Sequence, residues 1–265
     1  MKLDQENKVI YVRQSWLGDM AICPERARLG QVKPEFRTGS DATIIGTAVH
    51  AGIEQVLRGE AVAFEDMLQF VNNEYETLQD TNYTVTNIEQ DKIPDYLEAM
   101  SLAFYNEILP NVKLGGEAEF FFRAPLNINV EGYDIFLEGT MDYIDPDGNI
   151  WDWKTAKRIY NQKEKQKSAI QPTVYTTAVR NLGIADNPTF NYGVMVRQDK
   201  PKSQILEVTR SADHTRWLQH YVKGAVTTAL KSGYQTEWLM NDSSALCSSQ
   251  WCSYWSVCKG AFNLE

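Results

Sequence analysis

The sequence contains no run of about eighteen apolar residues, the length that a helix needs to cross a bilayer, so no membrane span is expected. Its opening stretch, MKLDQENKVIYVRQ, carries acidic side chains and no continuous apolar segment, which argues against a secretion signal. No Gly-x-x-x-x-Gly-Lys-Ser/Thr loop occurs, so a nucleotide-driven motor is not expected. These absences favour a cytoplasmic protein with no membrane partner.

Cysteine is also scarce, with four residues in the whole chain. Cys247, Cys252 and Cys258 form a C-x4-C-x5-C pattern near the end, whereas Cys23 lies far upstream. Two disulfides would need an oxidising compartment, which nothing in the sequence supports. A structural zinc site usually shows cysteines two residues apart, so this spacing is not typical of one. From the spacing alone, zinc ligands and unrelated thiols both stay open.

The composition is typical of a globular protein, because 43% of the 265 residues are hydrophobic and 23% are charged. No internal repeat occurs, and no linker rich in glycine, serine or proline separates two parts. We therefore expect a single domain over residues 1–265. Within it, composition predicts a mainly helical part at about 1–112, an α/β core at about 113–235 and a cysteine-bearing segment at about 236–265.

Hydrophobic periodicity and helix-capping residues predict the individual elements. Helices are expected at about 15–30, 46–59, 64–79, 93–109, 168–181 and 213–232. Strands are expected at 117–130, 133–144, 149–154, about 189–197 and about 203–209.

Two carboxylates and a lysine flank a turn in the most informative stretch of the chain. Asp142 precedes the turn sequence DPDG at 145–148, and Asp152 and Lys154 follow it. Proline and glycine between apolar runs predict a hairpin, with Asp142 on its first arm and the other two on its second. Residues two apart on a strand share a face, so Asp152 and Lys154 point the same way. Carboxylates are the ligands that Mg²⁺ and Mn²⁺ prefer, and a neighbouring ammonium suits a reacting phosphate.

The net charge of −9 disfavours a nucleic-acid partner if charge is treated as a property of the whole molecule. Between residues 154 and 167, however, six basic residues face one acidic residue, a local net charge of +5. A solvated loop and helix start would explain such a segment by itself. Beside a phosphate-binding site, the same segment predicts a path for DNA. Its basic residues are Lys154, Lys157, Arg158, Lys163, Lys165 and Lys167.

The order Gly-x-x-Asp, turn, Asp-x-Lys resembles the core of the PD-(D/E)xK nuclease superfamily. Three further features resemble its RecB-like branch, which includes CRISPR-associated four-cysteine exonucleases and AddB-type helicase-nuclease subunits. They are GTAVH at 46–50, QPTVY at 171–175, and one N-terminal cysteine within SWLGDMAICPERARL at 15–29 with three C-terminal ones. The resemblance runs from about Ser15 to Cys258. It implies an α/β fold of the restriction-endonuclease type, a central mixed sheet flanked by helices, with a helical N-terminal addition.

The resemblance also implies a metal site. Asp142, Asp152, the backbone carbonyl of Trp153 and the imidazole of His50 would hold Mg²⁺ or Mn²⁺. An isolated histidine on an apolar helix face is more often a structural residue, and its place within GTAVH is what favours the ligand role.

The same resemblance assigns roles to residues around the metal. Lys154 would orient the attacking water or neutralise charge on the phosphate. An upstream glutamate would complete the catalytic set, with Glu119 the better fit and Glu117 the alternative. Gln171 and Tyr175, four residues apart on one helix face, would contact DNA, with packing of that face on the sheet as the alternative.

For the cysteines, the resemblance implies a [4Fe-4S] cluster held by Cys23, Cys247, Cys252 and Cys258. Such a cluster would clip the two ends of the chain together, which is a structural role. The family more commonly shows C-x2-C for the first C-terminal gap, where this chain has C-x4-C, so zinc remains an alternative.

The function implied is that of a metal-dependent DNA exonuclease that prefers single-stranded or frayed ends. The small size resembles phage-encoded or CRISPR-associated enzymes, with a recombination, replication or CRISPR-adaptation protein as partner and the host cytoplasm as location if phage-encoded. The alternative from another class is a DNA-binding or assembly module with little cleavage of its own. Intact Asp142, Asp152 and Lys154 favour the enzyme, because a binding module has no need of them.

Overall fold

The computed structural model describes residues 1–37, 39–79, 81, 83–84, 88–243 and 245–262. Its strands are β1 (Lys2–Asp4), β2 (Val9–Arg13), β3 (Gly39–Ser40), β4 (Tyr83–Thr84), β5 (Glu117–Val130), β6 (Tyr133–Ile144), β7 (Ile150–Ala156), β8 (Phe190–Val196) and β9 (Ser203–Val208). Its α-helices are α1 (Gln14–Ile22), α2 (Pro24–Val32), α3 (Asp41–Arg58), α4 (Phe64–Gln79), α5 (Ile93–Ala103), α6 (Gln162–Ser168), α7 (Ile170–Asn181) and α8 (Ala212–Ser232). A π-helical turn covers Phe104–Ile108, and short 3₁₀ turns cover Pro34–Phe36, Gln90–Lys92, Leu109–Asn111, Trp255–Val257 and Lys259–Phe262.

The chain is a mixed α/β protein with a mixed sheet and flanking helices, so the predicted fold class is confirmed. It divides into two compact units. The first unit contains Met1–Thr38, Arg123–Gly139 and Ala212–Glu265, and the second contains Gly39–Phe122 and Thr140–Ser211. Strands β5 and β6 contribute residues to both units. The single nuclease domain with three successive parts stays a prediction.

In the first unit, β1 pairs antiparallel with β2, and β2 pairs in parallel with the first part of β6. Ile10 and Val12 of β2, with Ile135 and Leu137 of β6, are buried. Two strands thus precede the first helix, where the sequence analysis predicted neither a helix nor a strand. The alternating VIYVR segment of β2 becomes a strand because its partner is supplied from far along the chain, which local periodicity cannot show.

The predicted helix at 15–30 is two helices, α1 and α2. The break falls at Cys23, whose backbone is extended, and Pro24 opens the second helix. Proline has no N–H for the preceding turn and fits the first helical position, so it ends one helix and starts the next. Cys23 thereby lies at a corner of the chain instead of inside a helix.

In the second unit, the end of β6 pairs antiparallel with β7, β7 pairs in parallel with β8, and β8 pairs antiparallel with β9. All seven residues of β8 are buried, as expected for an interior strand. The predicted hairpin between β6 and β7 is confirmed. Its turn is fixed by Asp145, whose carboxylate accepts hydrogen bonds from the N–H groups of Asp147 at 2.9 Å and Asn149 at 2.8 Å.

Helices α3, α4 and α5 form a hydrophobic core with the buried rings of β7, including Trp153. Helix α3 starts five residues before its predicted start, because the Ser40 side chain caps it by accepting a hydrogen bond from the backbone N–H of Thr43. It ends at Gly59, which has the left-handed conformation. Within the described part of the chain, no helix combines the length and apolar character that spanning a bilayer requires.

Candidate active site and cysteine cavity

The β6–β7 hairpin brings the predicted carboxylates and lysine together. The Oδ2 atom of Asp142 accepts a hydrogen bond from the backbone N–H of Trp153 at 2.8 Å, and this bond joins β6 to β7. Asp152 is 2% exposed, and its Oδ2 forms an ion pair with the Lys154 ammonium. That Oδ2 atom is buried and has no hydrogen bond of regular geometry. The site is therefore formed from strand residues that the hairpin register places side by side.

The electrostatics of this cluster are unusual for carboxylates. Burial is the main cause of the raised pKa of Asp152, which is about 7; the Lys154 ammonium opposes this rise and the charge of Asp142 adds to it. Burial acts to lower the pKa of Lys154, but the two carboxylates outweigh it and raise that pKa above its usual value. Lys154 is consequently a protonated cation at neutral pH, and the carboxylates carry charge that a further cation would stabilise.

Helix α3 carries His50 to the hairpin. The Nδ1 atom lies 3.6 Å from Oδ2 of Asp142, and the side chain is 30% exposed. Burial lowers the pKa of His50, and the Lys154 charge lowers it further, against the raising effect of Asp142. The imidazole is thus neutral at pH 7 and has a lone pair available for a metal.

The close approach of α3 to β7 depends on Gly46. A Cβ atom at this position would lie 2.9 Å from Oγ1 of Thr155, the residue after Lys154. A larger side chain would force either the Thr155 side chain or the helix that carries His50 to shift. Close packing against Thr155 therefore explains glycine at this position of the GTAVH segment, in addition to the resemblance of that segment to the family motif.

Glu119 lies on β5 in the left-handed backbone region, with φ of 53°. This conformation is uncommon for a residue other than glycine and is concentrated at functional sites. The side chain is exposed, yet its pKa is raised to about 7 by partial burial and then by the charges of Asp142 and Glu54. Glu117, the alternative, is exposed in regular strand geometry. The structure therefore couples Glu119 electrostatically to the hairpin site.

Gln171 and Tyr175 share a face of α7, as predicted, but they face the protein interior. Gln171 Nε2 donates to Oδ1 of Asp152 at 2.6 Å. Tyr175 is 8% exposed, donates its hydroxyl to the Thr140 carbonyl at 2.9 Å, and packs its ring edge-on against Phe122. This placement favours a supporting role for both residues over the predicted contact with DNA.

The basic segment is mostly on the surface. Lys157, Arg158, Lys163 and Lys167 are exposed, whereas Lys165 is half-buried. The part at 162–168 forms helix α6, which sequence periodicity did not predict because the segment has no apolar face. Lys163 and Lys167 line an open surface groove with neighbouring polar residues. The arrangement offers several cations to solvent close to Lys154 in the chain.

Sequence reasoning missed three residues around the site. Tyr192 on β8 is the register partner of Asp152, and the ring of Tyr160 packs edge-on against it at 5.8 Å. Arg210 is buried and donates hydrogen bonds to carbonyls at the end of α6, including those of Lys165 and Gln166. An aromatic residue shortly after Lys154 was the available signal for Tyr160, and no signal existed for Arg210.

The hairpin residues fit a divalent cation by their chemistry. Oδ2 of Asp152 is buried beside the Lys154 ammonium, and burial followed by the neighbouring charge of Asp142 raises the pKa of both Asp152 and Glu119. Across the described part of the chain, however, no three side chains of histidine, cysteine, aspartate or glutamate are already gathered as a complete ligand set. The site therefore offers suitable donors, but these side chains alone do not make a complete set of ligands.

The four cysteines share one cavity in the first unit. Cys23, Cys247, Cys252 and Cys258 all line one small, mainly apolar cavity of about 30 Å³, and none is in a disulfide. Burial raises the pKa of Cys247 and Cys258, and the proximity of Cys23 and Cys252 raises both further. Sγ of Cys23 accepts a hydrogen bond from the backbone N–H of Asn241 at 3.4 Å. The four thiols thus share one space, although no three of these described cysteines are already gathered as a metal-ligand set.

A buried ion pair holds the C-terminal segment beside this cavity. Glu25 and Arg28 of α2 form two hydrogen bonds at 2.8 and 2.6 Å. Glu25 also accepts from the backbone N–H of Trp238 at 2.7 Å, and Arg28 donates to the Tyr234 carbonyl at 2.9 Å. The chain ends of the first unit are thus joined by these contacts independently of the cysteines.

Three comparisons with known proteins bear on these sites. A model of the PD-(D/E)XK nuclease superfamily matches residues 14–259. No curated protein matches the chain. Among solved structures, a Eubacterium rectale protein described as a "Putative exonuclease" aligns with a TM-score of 0.55 at 16% identity, over 93% of this chain and 92% of that one. A second structure, SSO0001, aligns with a TM-score of 0.36 at 14% identity, over 83% of this chain and 77% of that one.

Proposed function

Because the chain belongs to the PD-(D/E)XK nuclease superfamily, we propose that it is a metal-dependent DNA exonuclease of the RecB-like, four-cysteine type. Single-stranded or frayed DNA ends are the proposed substrate. The observation that carries the proposal is the hairpin cluster, in which buried Asp152 is paired with Lys154 while Asp142 is bonded across the hairpin to Trp153. A binding module would have no need of a buried carboxylate paired with a lysine beside a second carboxylate.

In this proposal, Asp142, Asp152, His50 and the carbonyl of Trp153 hold one or two Mg²⁺ or Mn²⁺ ions. The chemistry that such an ion supplies when bound is polarisation of the phosphate and a lowered pKa of water. The raised pKa of Asp152 supports this assignment, because a cation would offset the cost of burying its charge. The neutral state of His50 supports it as well.

Lys154 is proposed to act on the phosphate directly. Its pKa is raised by the two carboxylates, so it keeps its proton throughout the neutral range and presents a fixed positive charge. Such a charge stabilises the negative charge that develops on the phosphate oxygens during hydrolysis. Glu119 is proposed to complete the set by accepting or holding a proton, for which a pKa of about 7 is well suited.

Gln171 and Tyr175 are proposed as positioning residues. Gln171 occupies one oxygen of Asp152 and so leaves the other directed toward Lys154. Tyr175 fixes the backbone at Thr140, two residues before Asp142. Together they hold the carboxylates in the geometry that the reaction requires.

The exposed cations that follow β7 are proposed as the DNA path. Lys157, Arg158, Lys163 and Lys167 lie on the surface and can release counterions from a phosphate backbone. This local charge is what allows an acidic protein to bind DNA, since binding depends on the potential at the site and not on the net charge.

The cysteine cavity is proposed to hold a [4Fe-4S] cluster with a structural role. Support comes from the four thiols around one mainly apolar cavity and from the N–H of Asn241 directed at Cys23. Zinc in the same cavity is the alternative. Iron and sulfide analysis of anaerobically prepared protein separates the two metals.

The test of the proposed activity is degradation of end-labelled single-stranded DNA in the presence of Mn²⁺. Wild type should degrade it, Asp152→Ala should not, and both should bind DNA within a few-fold of each other because the phosphate contacts come from the basic segment. Asp147→Ala is the matched control, since Asp147 is an exposed carboxylate in the same hairpin turn, paired with Lys113. Undiminished cleavage by Asp152→Ala would overturn the assignment. A wild-type protein that binds DNA but never cleaves it would instead be an assembly module.

A further inference from the structure

Lys165 differs from the other lysines of α6 because two aromatic rings hold its ammonium. The Nζ atom lies 4.3 Å from the ring centre of Tyr160 and 5.6 Å from that of Tyr192. An ammonium over an aromatic face is attracted by the ring's negative quadrupole. Lys165 therefore has a preferred position, whereas Lys163 and Lys167 are exposed along an open groove.

The two rings lie on the sheet face that carries the active-site carboxylate. Tyr192 pairs in register with Asp152 across β8 and β7, and paired residues on neighbouring strands project to the same side. Tyr160 packs edge-on against Tyr192 at 5.8 Å. The row Asp152, Tyr192, Tyr160 and Lys165 thus runs outward from the hairpin site within one unit of the protein.

The backbone on both sides of this row is fixed. Gln204 of β9 accepts a hydrogen bond from the N–H of Tyr160 at 2.8 Å and donates one to its carbonyl at 3.1 Å. Buried Arg210 donates to the carbonyl of Lys165 at 3.1 Å and to that of Ala169 at 3.0 Å. Both the ring and the lysine are held to the core, although the segment between them is a polar surface loop and helix.

We propose that Lys165 binds a backbone phosphate of the strand being cleaved, and that Tyr160 and Tyr192 position it for this contact. The proposal rests on the proposed nuclease function and adds a residue to its substrate site. An ammonium has three N–H donors, and contact with the rings on one side leaves donors free for phosphate oxygens on the other. Preorganisation by the rings lowers the entropy lost when the lysine meets the phosphate.

The test compares lysines of equal charge on the same helix. Single-stranded DNA affinity is measured against salt concentration in EDTA, so that no cleavage occurs. Lys165→Gln should lower the slope of log affinity against log salt by about 0.7, the value for one lost phosphate contact on a single strand. Lys163→Gln should lower it by less than half as much, and Lys165→Arg should restore the wild-type slope.

The tyrosine is tested by its coupling to the lysine. Tyr160→Phe keeps the ring and should bind DNA as wild type does, whereas Tyr160→Leu should match Lys165→Gln. The double variant Tyr160→Leu with Lys165→Gln should bind no more weakly than Lys165→Gln alone, because the two changes remove one interaction. Thermal unfolding of each variant confirms that it is folded.

Two results would overturn the inference. Equal slopes for Lys163→Gln and Lys165→Gln would show that the rings confer no special role on Lys165. Additive losses in the double variant would show that Tyr160 acts independently of the lysine. Neither result would contradict the proposed nuclease function. That function is contradicted by a different result, the absence of DNA cleavage by the wild type in Mn²⁺.

Discussion

The hairpin site and the cysteine cavity are built in different ways. The hairpin side chains belong to paired strands and are held by hydrogen bonds from Trp153 to Asp142 and from Gln171 to Asp152. The cysteine cavity is lined by a helix corner and by short 3₁₀ turns near the chain end, with an apolar interior. The difference suggests that the first site keeps its geometry without a ligand, whereas the second depends on what fills it.

Removal of a cysteine should have the largest effect among the tests of this difference between the hairpin site and the cysteine cavity. Cys247→Ala should abolish iron incorporation and lower the free energy of unfolding by about 3 kcal/mol or more, because a ligand bound only to the folded state adds its binding free energy to stability. Ser249→Ala in the same segment is the control and should keep both iron and stability. Iron content and denaturant unfolding of anaerobically prepared proteins measure the effect.

The hydrogen bonds among Glu25, Arg28 and Trp238 limit how much of the structure the cysteine variant should lose. Because it joins α2 to the C-terminal segment without the thiols, the cysteine variant should lose stability but remain folded at low temperature. A variant with unchanged stability and full iron content would contradict the predicted ligand role of Cys247.

An intermediate effect is expected from pH at the hairpin site. Burial raises the pKa of Asp152 to about 7, and Glu119 has a similar raised pKa. Above this pH both are carboxylates ready for a metal, and below it protons compete with the metal. At subsaturating Mn²⁺, cleavage should fall as pH drops below about 7, by roughly tenfold per pH unit for each proton displaced. Higher Mn²⁺ should restore it, whereas a loss insensitive to Mn²⁺ would exclude competition at these carboxylates.

The smallest effect concerns the support of the hairpin. Tyr175→Phe removes the hydrogen bond to the Thr140 carbonyl and should cost about 1 kcal/mol of stability, with DNA affinity unchanged. Weakened DNA binding by Tyr175→Phe at unchanged stability would contradict this supporting role and would favour the predicted contact of Tyr175 with DNA.

The hairpin could be predicted from sequence because its signals are local. The turn at 145–148, the alternating flanks and the two-residue spacing of Asp152 and Lys154 all lie within one short stretch. The strand β2 could not, since its parallel pairing with β6 joins segments far apart in the chain. Periodicity reports which face a segment can bury, and it does not report which distant segment will cover that face.

The residues around the site could not be predicted from the sequence for similar reasons. The left-handed φ of Glu119 has no sequence signal in a strand that otherwise alternates regularly. The burial of Tyr175 follows from the packing of α7 against Phe122 and Phe190, which a helical pattern with polar positions does not reveal. The role of Arg210 could be recognised only from the structure, in which it donates hydrogen bonds to the carbonyls at the end of α6.

The measurement that tests the account most directly is Mn²⁺ binding to metal-free protein, followed by electron paramagnetic resonance of the free ion. Wild type and Asp147→Ala should take up Mn²⁺ equally, whereas Asp142→Ala and Asp152→Ala should each lose that uptake while remaining folded. Equal Mn²⁺ uptake by all four proteins would contradict the claim that the hairpin carboxylates form the metal site.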